Sequence, residues 1–394
     1  MKLRKISESV SYVGAVDWDR RLFDALVPLP HGTSYNAYYI QGTEKAVLLD
    51  TVDPSMADTF FAYLAQLPRV DYIISHHSEQ DHSGLIPETL RRFPNAKVLA
   101  SAPGKNLLES LLHLSPDSIQ IVKDGDTLAL GGLNLKFVMT PWVHWPETFC
   151  TWLEEERILF SCDFFASHLA TSSLYASDDN RVLDAAKRYY AEIMMPYAGI
   201  IRKNVEKVAA LNPRLIAPSH GPLHDHPDQI VDIWRRWTDP APGREVVIAL
   251  VSMHGSTRAM VDRLCTGLSD LGVTFQRFDL TSADIGQLAM SLLDTSTLVL
   301  ATPLVLNSAH PLVLHAASLI NALKPKLQRA VVIGSYGWNA KPLEQAPTWM
   351  PDMKIEWLPP LACKGLPRAA DFEAIDRLAQ TIADKQNAPP AAVA

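Results

Sequence analysis

The short segment HHSEQDH, His76 to His82, contains three histidines and two carboxylates within seven positions. Imidazole nitrogens and carboxylate oxygens are common protein ligands of zinc, iron and manganese. The segment follows the apolar stretch DYIIS, which we predict to be a strand, so its side chains project from the end of a sheet. Because side chains alternate along an extended chain, we expect His77, Glu79 and Asp81 to share one side. The segment therefore predicts a metal site.

Three more candidate ligands follow other apolar stretches. His144 lies in TPWVHWPET, Asp163 in ILFSCDFF and His220 in LIAPSHGPLH, each just after a predicted strand. A buried carboxylate without a partner is costly, which favours a ligand role for Asp163. Trp142 and Trp145 flank His144 and are expected to keep water away from the site. The repeated position at strand ends predicts that all these side chains converge.

This arrangement resembles the metallo-β-lactamase fold, whose members carry the pattern H-x-H-x-D-H followed by a distant His, Asp and His. Glu79 stands where the hydrolases of that fold have a second histidine. A carboxylate in that position makes the site harder and more anionic, which favours iron or manganese over zinc. We therefore predict a dimetal site with iron favoured, bridged by Asp163. His82 fits the last motif position, but Glu79 and the bridging Asp163 already fill much of the metal coordination shell. Whether His82 is a direct ligand therefore stays open. The other histidines nearby are expected on the surface or behind the ligands: His76, His224 and His226.

Three loops in the second half of the chain predict a phosphate and ring site. The loop SMHGSTR lies between the apolar stretch EVVIALV and a helix, and helix N-termini with nearby hydroxyls favour an anion. It has no lysine of the ATP-type P-loop, so the monoester phosphate of FMN suits it better. The loops ATPLVLN and GSYGWN also follow apolar strands, and ligands bind at the carboxyl ends of such strands. Together the loops look like flavodoxin. The candidate FMN contacts are Ser252, His254, Gly255, Ser256, Thr257, Thr302, Pro303, Leu304, Asn307, Ser335, Tyr336, Gly337 and Trp338.

Composition limits the class of protein. The chain has 394 residues, 47% of them apolar, and a formal charge of −7 at pH 7. This charge argues against nucleic acid or an anionic membrane surface as the main partner. The 4 cysteines lie far apart without a C-x-x-C pair, which excludes a thiolate zinc or rubredoxin-type iron module and predicts scattered buried thiols. We see no signal peptide or spanning segment, and therefore expect a cytoplasmic protein.

The order of predicted elements indicates two α/β domains. Residues 1–238 contain many short strands with helices between some of them, as in an αββα metallo-β-lactamase-like sandwich. The stretch TDPAPGR, Thr238 to Arg244, is rich in proline and glycine and marks the domain boundary. Residues 244–385 alternate fully apolar strands with helices, which predicts a doubly wound parallel, flavodoxin-like domain.

A domain with H-x-E-x-D-H joined to a flavodoxin-like domain resembles the flavodiiron proteins. The resemblance covers about residues 1–385 and rests on DWDRRLFD, GTSYNAY, SEQDHSG, HWPET, LFSCDFF, MPY, SHGP and GSYGWN. It implies an oxidoreductase with two non-haem irons and one FMN that reduces O₂ to water, NO to N₂O, or both. The implied ligands of one iron are His77, Glu79 and His144, and those of the other are Asp81, His220 and, if it binds directly, His82, with Asp163 between the two irons.

The resemblance also implies partners. We see no C-terminal rubredoxin or flavin-reductase extension, and therefore expect the minimal two-domain class of the family. We also expect an external electron donor such as rubredoxin or a reductase. We further expect a head-to-tail homodimer, or a dimer of dimers, in which the FMN of one subunit faces the irons of its neighbour. Tyr197 in MPY either lies behind the metal ligands or packs the core.

Two other functions remain alternatives at this point. One is a zinc-dependent hydrolase with an accessory flavodoxin domain, and the other is a pure electron carrier. Glu79 argues against both, because such hydrolases rarely have it and a carrier does not need it. The metal ligands alone do not distinguish O₂ from NO as substrate.

Overall fold

The computed structural model describes residues 2–387, and the chain divides into two compact units. The first unit is Met1–Tyr190 with Tyr197–Asp239, and the second is Ala191–Pro196 with Pro240–Ala394. Within the described residues, no helix combines the length and the apolar character needed to cross a membrane.

The first unit is built from short strands and from helices that lie between some of them. The strands are β1 (Arg4–Lys5), β2 (Val10–Tyr12), β3 (Ala15–Asp17), β4 (Leu22–Phe23), β5 (Val27–Pro28), β6 (Thr33–Tyr35), β7 (Tyr38–Gln41), β8 (Ala46–Leu49), β9 (Tyr72–Ile74), β10 (Lys97–Ala100), β11 (Ile119–Ile121), β12 (Thr127–Ala129), β13 (Asn134–Met139), β14 (Phe149–Leu153), β15 (Ile158–Cys162) and β16 (Leu215–Pro218). The helices are α1 (Ala57–Leu64), α2 (Gln80–Ser83), α3 (Ile86–Arg92), α4 (Ala102–Leu112), α5 (Val182–Tyr189), α6 (Ala198–Ala209) and α7 (Pro227–Thr238).

Two sheets form the centre of the first unit. One has the order β1-β2-β7-β8-β9-β10-β11 and becomes parallel from β8 onward. The other has the order β12-β13-β14-β15-β16, with a parallel pair between β15 and β16. Parallel neighbours need a crossover, and helices fill these connections: α1, α2, α3 and α4 between β8 and β11, and α5 and α6 between β15 and β16.

A single apolar core joins the two sheets. Ile74 and Leu99 of the first sheet belong to the same buried cluster as Phe137 and Phe160 of the second. The sheets therefore face each other as a sandwich, with strand ends at a common edge. This is the arrangement that the sequence predicts for this part of the chain.

The second unit contains an open parallel sheet. Its strands are β17 (Glu245–Leu250), β18 (Phe275–Asp279), β19 (Thr295–Val305), β20 (Ser308–Ala309), β21 (Arg329–Tyr336), β22 (Glu356–Trp357) and β23 (Leu361–Lys364). Its helices are α8 (Ser256–Asp270), α9 (Ile285–Leu292), α10 (Pro311–Leu323), α11 (Lys341–Glu344) and α12 (Ala369–Asn387). The order β18-β17-β19-β21-β22, with β23 also beside β21, is the doubly wound flavodoxin order.

One local prediction is wrong. The segment from His77 to His82 is not extended throughout, because residues Gln80–Ser83 form the helical turn α2. Glu79 keeps extended angles as the residue before the helix, and the Ser83 hydroxyl donates to the backbone oxygens of Ser78 and Glu79. Alternation along a strand therefore does not apply to Asp81.

The shared core gives a stability prediction. Phe160 is 1% exposed and packs against Tyr38 with ring centroids 5.1 Å apart, so Phe160→Ala leaves a cavity between the sheets. We expect the free energy of unfolding to fall by about 3–5 kcal/mol, measured by urea unfolding followed by circular dichroism. Ile121→Ala is the control, since Ile121 is 43% exposed. Equal losses for both variants would contradict a shared core at Phe160.

Candidate functional site

The candidate metal ligands all come from segments that follow strands of the first unit. The stretch after β9 supplies His77 and Glu79, and α2 supplies Asp81 and His82. The remaining ligand candidates follow β13, β15 and β16, and they are His144, Asp163 and His220. Five of these side chains are buried, whereas those of Glu79 and His144 are partly exposed, at 13% and 14%. The structure therefore brings together every metal ligand that the sequence suggests.

One group of ligand atoms surrounds one oxygen of Asp163. His77 Nε2 lies 3.6 Å from Asp163 Oδ2, and His144 Nε2 lies 3.4 Å from the same oxygen. Glu79 Oε2 lies 3.0 Å from His77 Nε2 and 3.4 Å from His144 Nε2. One donor atom from each of these four side chains lies within 4.8 Å of the others, which is close enough for one metal ion.

A second group surrounds the other oxygen of Asp163. His82 Nε2 lies 3.2 Å from Asp163 Oδ1, and His220 Nε2 lies 3.4 Å from it. Asp81 Oδ2 lies 3.3 Å from each of these two imidazole nitrogens. Asp81, His82 and His220 form a second candidate metal position. The helical turn at Gln80–Ser83 explains why Asp81 joins this group instead of the first.

The electrostatics of the two groups reflect buried opposite charges. Burial alone would raise the pKa of Asp163, but positive charge on His82 and contacts with the other imidazoles lower it well below its usual range. Burial alone would lower the pKa of His220, but Asp163 and Asp81 outweigh this effect and raise it to about 10. In the absence of other cations, the carboxylates thus hold protons on the imidazoles.

Unsatisfied polar atoms indicate that protons alone do not complete this site. Both carboxylate oxygens of Asp81, Nε2 of His82 and Oδ1 of Asp163 are buried without a hydrogen-bond partner among the described residues. A buried polar atom without a partner costs about 1–3 kcal/mol, and several together are unusual. Metal ions between these nitrogens and oxygens would satisfy all of them, so the residues fit a pair of ions. The carboxylate-rich donor set suits iron.

Contacts behind the ligands orient the imidazoles, and the sequence analysis did not identify them. His77 Nδ1 lies 2.7 Å from Glu147 Oε1, which also accepts from the backbone N–H of Ser78 at 3.0 Å. His220 Nδ1 donates to the backbone oxygen of Ser34 at 2.7 Å. These contacts direct both Nε2 atoms towards the metal positions. The motif HWPET, which contains Glu147, was the available signal.

The other histidines named from the sequence lie outside the ligand groups. His76 is buried, with Nδ1 2.7 Å from Asp50 Oδ2 and Nε2 2.7 Å from Thr151 Oγ1. His224 is also buried, with Nε2 2.8 Å from the Phe165 oxygen, and His226 is exposed. None of these three is among the grouped ligand atoms.

The aromatic residues near the site differ in exposure. Trp145 packs edge-on against His77 with ring centroids 4.9 Å apart, as expected for a residue that excludes water. Trp142 is instead 42% exposed and stacks on Tyr197, with centroids 5.9 Å apart. Tyr197 therefore contacts a neighbour of His144 but is not among the grouped ligand atoms.

The second unit has a cavity of 530 Å³ at the carboxyl ends of β17, β19 and β21. This volume lies in the usual range of cofactor pockets. Thr257 Oγ1 and Ser335 Oγ are 2.9 Å apart, and Gly255 has a φ of 88° with open space where a side chain would be. The predicted residues that line it are His254, Ser256, Thr257, Pro303, Leu304, Asn307, Ser335, Tyr336, Gly337 and Trp338.

A few predicted FMN residues do not line the cavity. The Ser252 hydroxyl accepts from the backbone N–H of Arg258, and the Thr302 hydroxyl donates to Pro303 and accepts from His310. Gly255 is likewise absent from the lining, although it immediately precedes α8, whose first residues line the cavity. Met253, Val305, Leu306 and Gly365 line the cavity but were not predicted. The hydroxyls, the helix N-terminus and the aromatic wall fit a flavin phosphate and ring.

The fold and the two sites define a class of protein with a metallo-β-lactamase-type metal centre and a flavodoxin-type cofactor unit. Residues 33–221 match the family described as "ODP family beta lactamase". The rubredoxin-oxygen oxidoreductase of Megalodesulfovibrio gigas is 30% identical over 97% of this chain and 98% of its own. The nitric oxide reductase of Moorella thermoacetica is 31% identical over 96% of this chain and 97% of its own.

Solved structures agree with these matches. The rubredoxin oxygen:oxidoreductase structure from Desulfovibrio gigas superposes with a TM-score of 0.93, at 29% identity, over 98% of both chains. The flavodiiron protein structure from Giardia intestinalis superposes with a TM-score of 0.88, at 25% identity, over 99% of both. The chain therefore belongs to the flavodiiron protein family, and the predicted fold class is confirmed.

The raised histidine pKa values give a prediction about metal binding. Metal binding needs neutral imidazoles, whereas His220 has a pKa of about 10 in the metal-free chain. We expect metal binding at about pH 7 to release protons, and the apparent affinity to increase as the pH rises. Calorimetric titration with Co²⁺ in two buffers of different ionisation enthalpy measures this release. Equal heats in both buffers would contradict protonated ligands.

Proposed function

We propose that this chain is a flavodiiron oxidoreductase that reduces O₂ to water, NO to N₂O, or both, with electrons from an external carrier. Asp163 carries the proposal, since each of its two oxygens lies between histidines of a different ligand group. The relatives named above are oxidoreductases for O₂ or NO, which favours this function over the zinc hydrolase.

We assign the metal ligands by position. His77, Glu79 and His144 would hold one iron through the first group, and Asp163 would bridge to the other. Asp81 and His220 would hold the second iron. His82 Nε2 is buried and lies 3.2 Å from Asp163 Oδ1, which supports its role as a direct ligand as well.

The protein's own residues prepare the site for small diatomic substrates. When bound, two ferrous irons and one reduced FMN supply the four electrons that O₂ needs, or the two that couple a pair of NO molecules. Five of the seven candidate ligands are buried, and Trp145 packs edge-on against His77, so most of the donor groups lie away from bulk water. Glu147 and Ser34 hold two of the imidazoles so that their orientation does not change when the metal charge changes.

The two compact units support a division of labour. We propose that residues 1–238 form the diiron domain and residues 244–385 form the FMN domain. The cavity at the carboxyl ends of β17, β19 and β21 supports the second assignment, because flavodoxin-type sheets bind their cofactor at this edge.

Electrons must pass from a donor to the flavin, and from the flavin to the irons. We propose a head-to-tail homodimer, or a dimer of such dimers, in which FMN of one subunit faces the irons of the next. Exposed apolar side chains at the FMN cavity, Leu306 (89%) and Trp338 (82%), support an interface there. Rubredoxin, named for the Megalodesulfovibrio relative, or a dedicated reductase is the proposed donor. A monomer with full turnover would contradict the dimer.

Asp163→Asn tests the proposed chemistry. The amide keeps the shape of the side chain but cannot bridge two cations. Loss of a contact behind a metal ligand typically costs up to about 100-fold, and Asp163 is a proposed ligand itself. We therefore expect both O₂ and NO reduction to fall by at least this factor. FMN content should remain unchanged. Asp117→Asn, at an exposed carboxylate of the same unit, should retain full activity. Full activity in Asp163→Asn would favour a simple electron carrier.

Substrate preference needs a direct comparison. The protein is reduced anaerobically, its iron and FMN are quantified, and the same sample is assayed separately for O₂ and NO consumption. We expect at least one gas to be consumed in proportion to the iron pairs present. Zinc in place of iron, with no consumption of either gas, would overturn the proposed function.

A further inference from the structure

A buried histidine outside the ligand set lies against the second metal position. His168 is 5% exposed, and its ring centroid lies 4.7 Å from that of His220. Tyr189 and Phe23 enclose the same ring, with centroids 4.9 and 5.1 Å away. His168 is not among the grouped ligand atoms, so the metal chemistry proposed above leaves it without a role.

The two ring nitrogens of His168 differ in their hydrogen-bond partners. Nδ1 lies 2.8 Å from the Thr33 hydroxyl, whereas Nε2 is buried without a hydrogen-bond partner among the described residues. A phenylalanine would fill the same aromatic space without burying an unsatisfied nitrogen, which costs about 1–3 kcal/mol. The Nδ1 contact with Thr33 is therefore the feature of His168 that an apolar ring could not replace.

Strand β6 connects this contact to the metal ligand. The Thr33 hydroxyl lies 3.3 Å from the backbone oxygen of Ser34, which accepts the Nδ1–H of His220 at 2.7 Å. The Ser34 hydroxyl accepts from the backbone N–H of Gly221 at 2.8 Å. The motif GTSYNAY, whose chemistry the sequence alone does not reveal, thus supports His220 from behind.

The loop that carries His168 holds His220 from the other side. The backbone N–H of Ser167 donates to the backbone oxygen of His220 at 3.1 Å.

We propose that His168, anchored by Thr33, is a positioning residue that fixes the imidazole of His220 for the second metal position. This inference rests on the proposed dimetal site. Through Thr33 and the Ser34 carbonyl, His168 keeps His220 Nδ1 engaged and its Nε2 directed at Asp81 and Asp163. Contacts of this kind behind a metal ligand typically change metal affinity by about 10- to 100-fold.

The test compares variants by Co²⁺ binding to the metal-free full-length chain. Titration with visible spectroscopy gives the affinity and spectrum of each bound ion, and metal analysis gives their number. His168→Phe keeps the ring but removes both nitrogens, and Thr33→Val removes only the hydroxyl. In both we expect the second ion to bind about 10- to 100-fold more weakly, with an altered spectrum and an unchanged first ion.

Three further variants separate positioning from packing. Thr33→Ser restores the hydroxyl and should restore binding. The double variant His168→Phe with Thr33→Val should bind the second ion no more weakly than either single variant, because each substitution removes the same contact between Thr33 and His168. His224→Phe removes an equally buried imidazole of the same unit that does not touch His220, and should leave both ions unaffected.

The outcomes distinguish this inference from the function on which it rests. Wild-type affinity and spectrum for both ions in His168→Phe would show that His168 only fills space, and would overturn the positioning role. Additive losses in the double variant would overturn the connection through Thr33. A wild-type chain that binds a single ion would overturn the dimetal site itself, and the positioning role with it.

Discussion

The site depends on one buried carboxylate whose two oxygens must both be neutralised. Asp163 is 1% exposed, and its Oδ1 and Oδ2 face two different pairs of imidazoles. An isolated carboxylate at this depth would be strongly disfavoured, so the fold must deliver several cationic or metal-bound partners to the same place. A pair of metal ions meets this requirement, because it satisfies the carboxylate and the unsatisfied atoms of Asp81 and His82 together.

The sandwich meets this requirement through its strand ends. β9, β13, β15 and β16 end near one edge, and each is followed by a stretch that carries a ligand. The shared apolar core holds these strands in place, so the ligands sit on rigid elements. Contacts behind the ligands then set the orientation of two of the rings: Glu147 lies behind His77, and Ser34 lies behind His220.

The convergence of the candidate ligands could be predicted from the sequence, because apolar strands and metal-binding residue types leave local signals. For Asp81, the family resemblance implied the second group, whereas side-chain alternation placed it beside His77 and Glu79. Alternation fails here because it assumes an extended chain, and Gln80–Ser83 turns into a helix. In the FMN unit, strand ends located the cavity correctly. Ser252 and Thr302 do not line it, and their hydroxyls accept hydrogen bonds from backbone N–H groups instead. The sequence does not show whether a hydroxyl contacts a ligand or the backbone of its own loop.

Supporting residues were harder to find than ligands. Thr33 and His168 are 135 positions apart in the chain. Thr33 belongs to the motif GTSYNAY, but the motif does not indicate what the residue contacts, and nothing local marks His168. Only the folded sheet edge brings them together with His220. The fold class, by contrast, follows from the order of apolar segments over the whole chain, which is why it could be predicted and is confirmed by the relatives' structures.

The most direct measurement is a crystal structure of the iron-loaded protein with anomalous diffraction recorded on both sides of the iron absorption edge. We expect two iron peaks next to the Asp163 carboxylate, one beside His77 and His144 and the other beside His82 and His220. A single peak, or two peaks that change across the zinc edge instead, would contradict it.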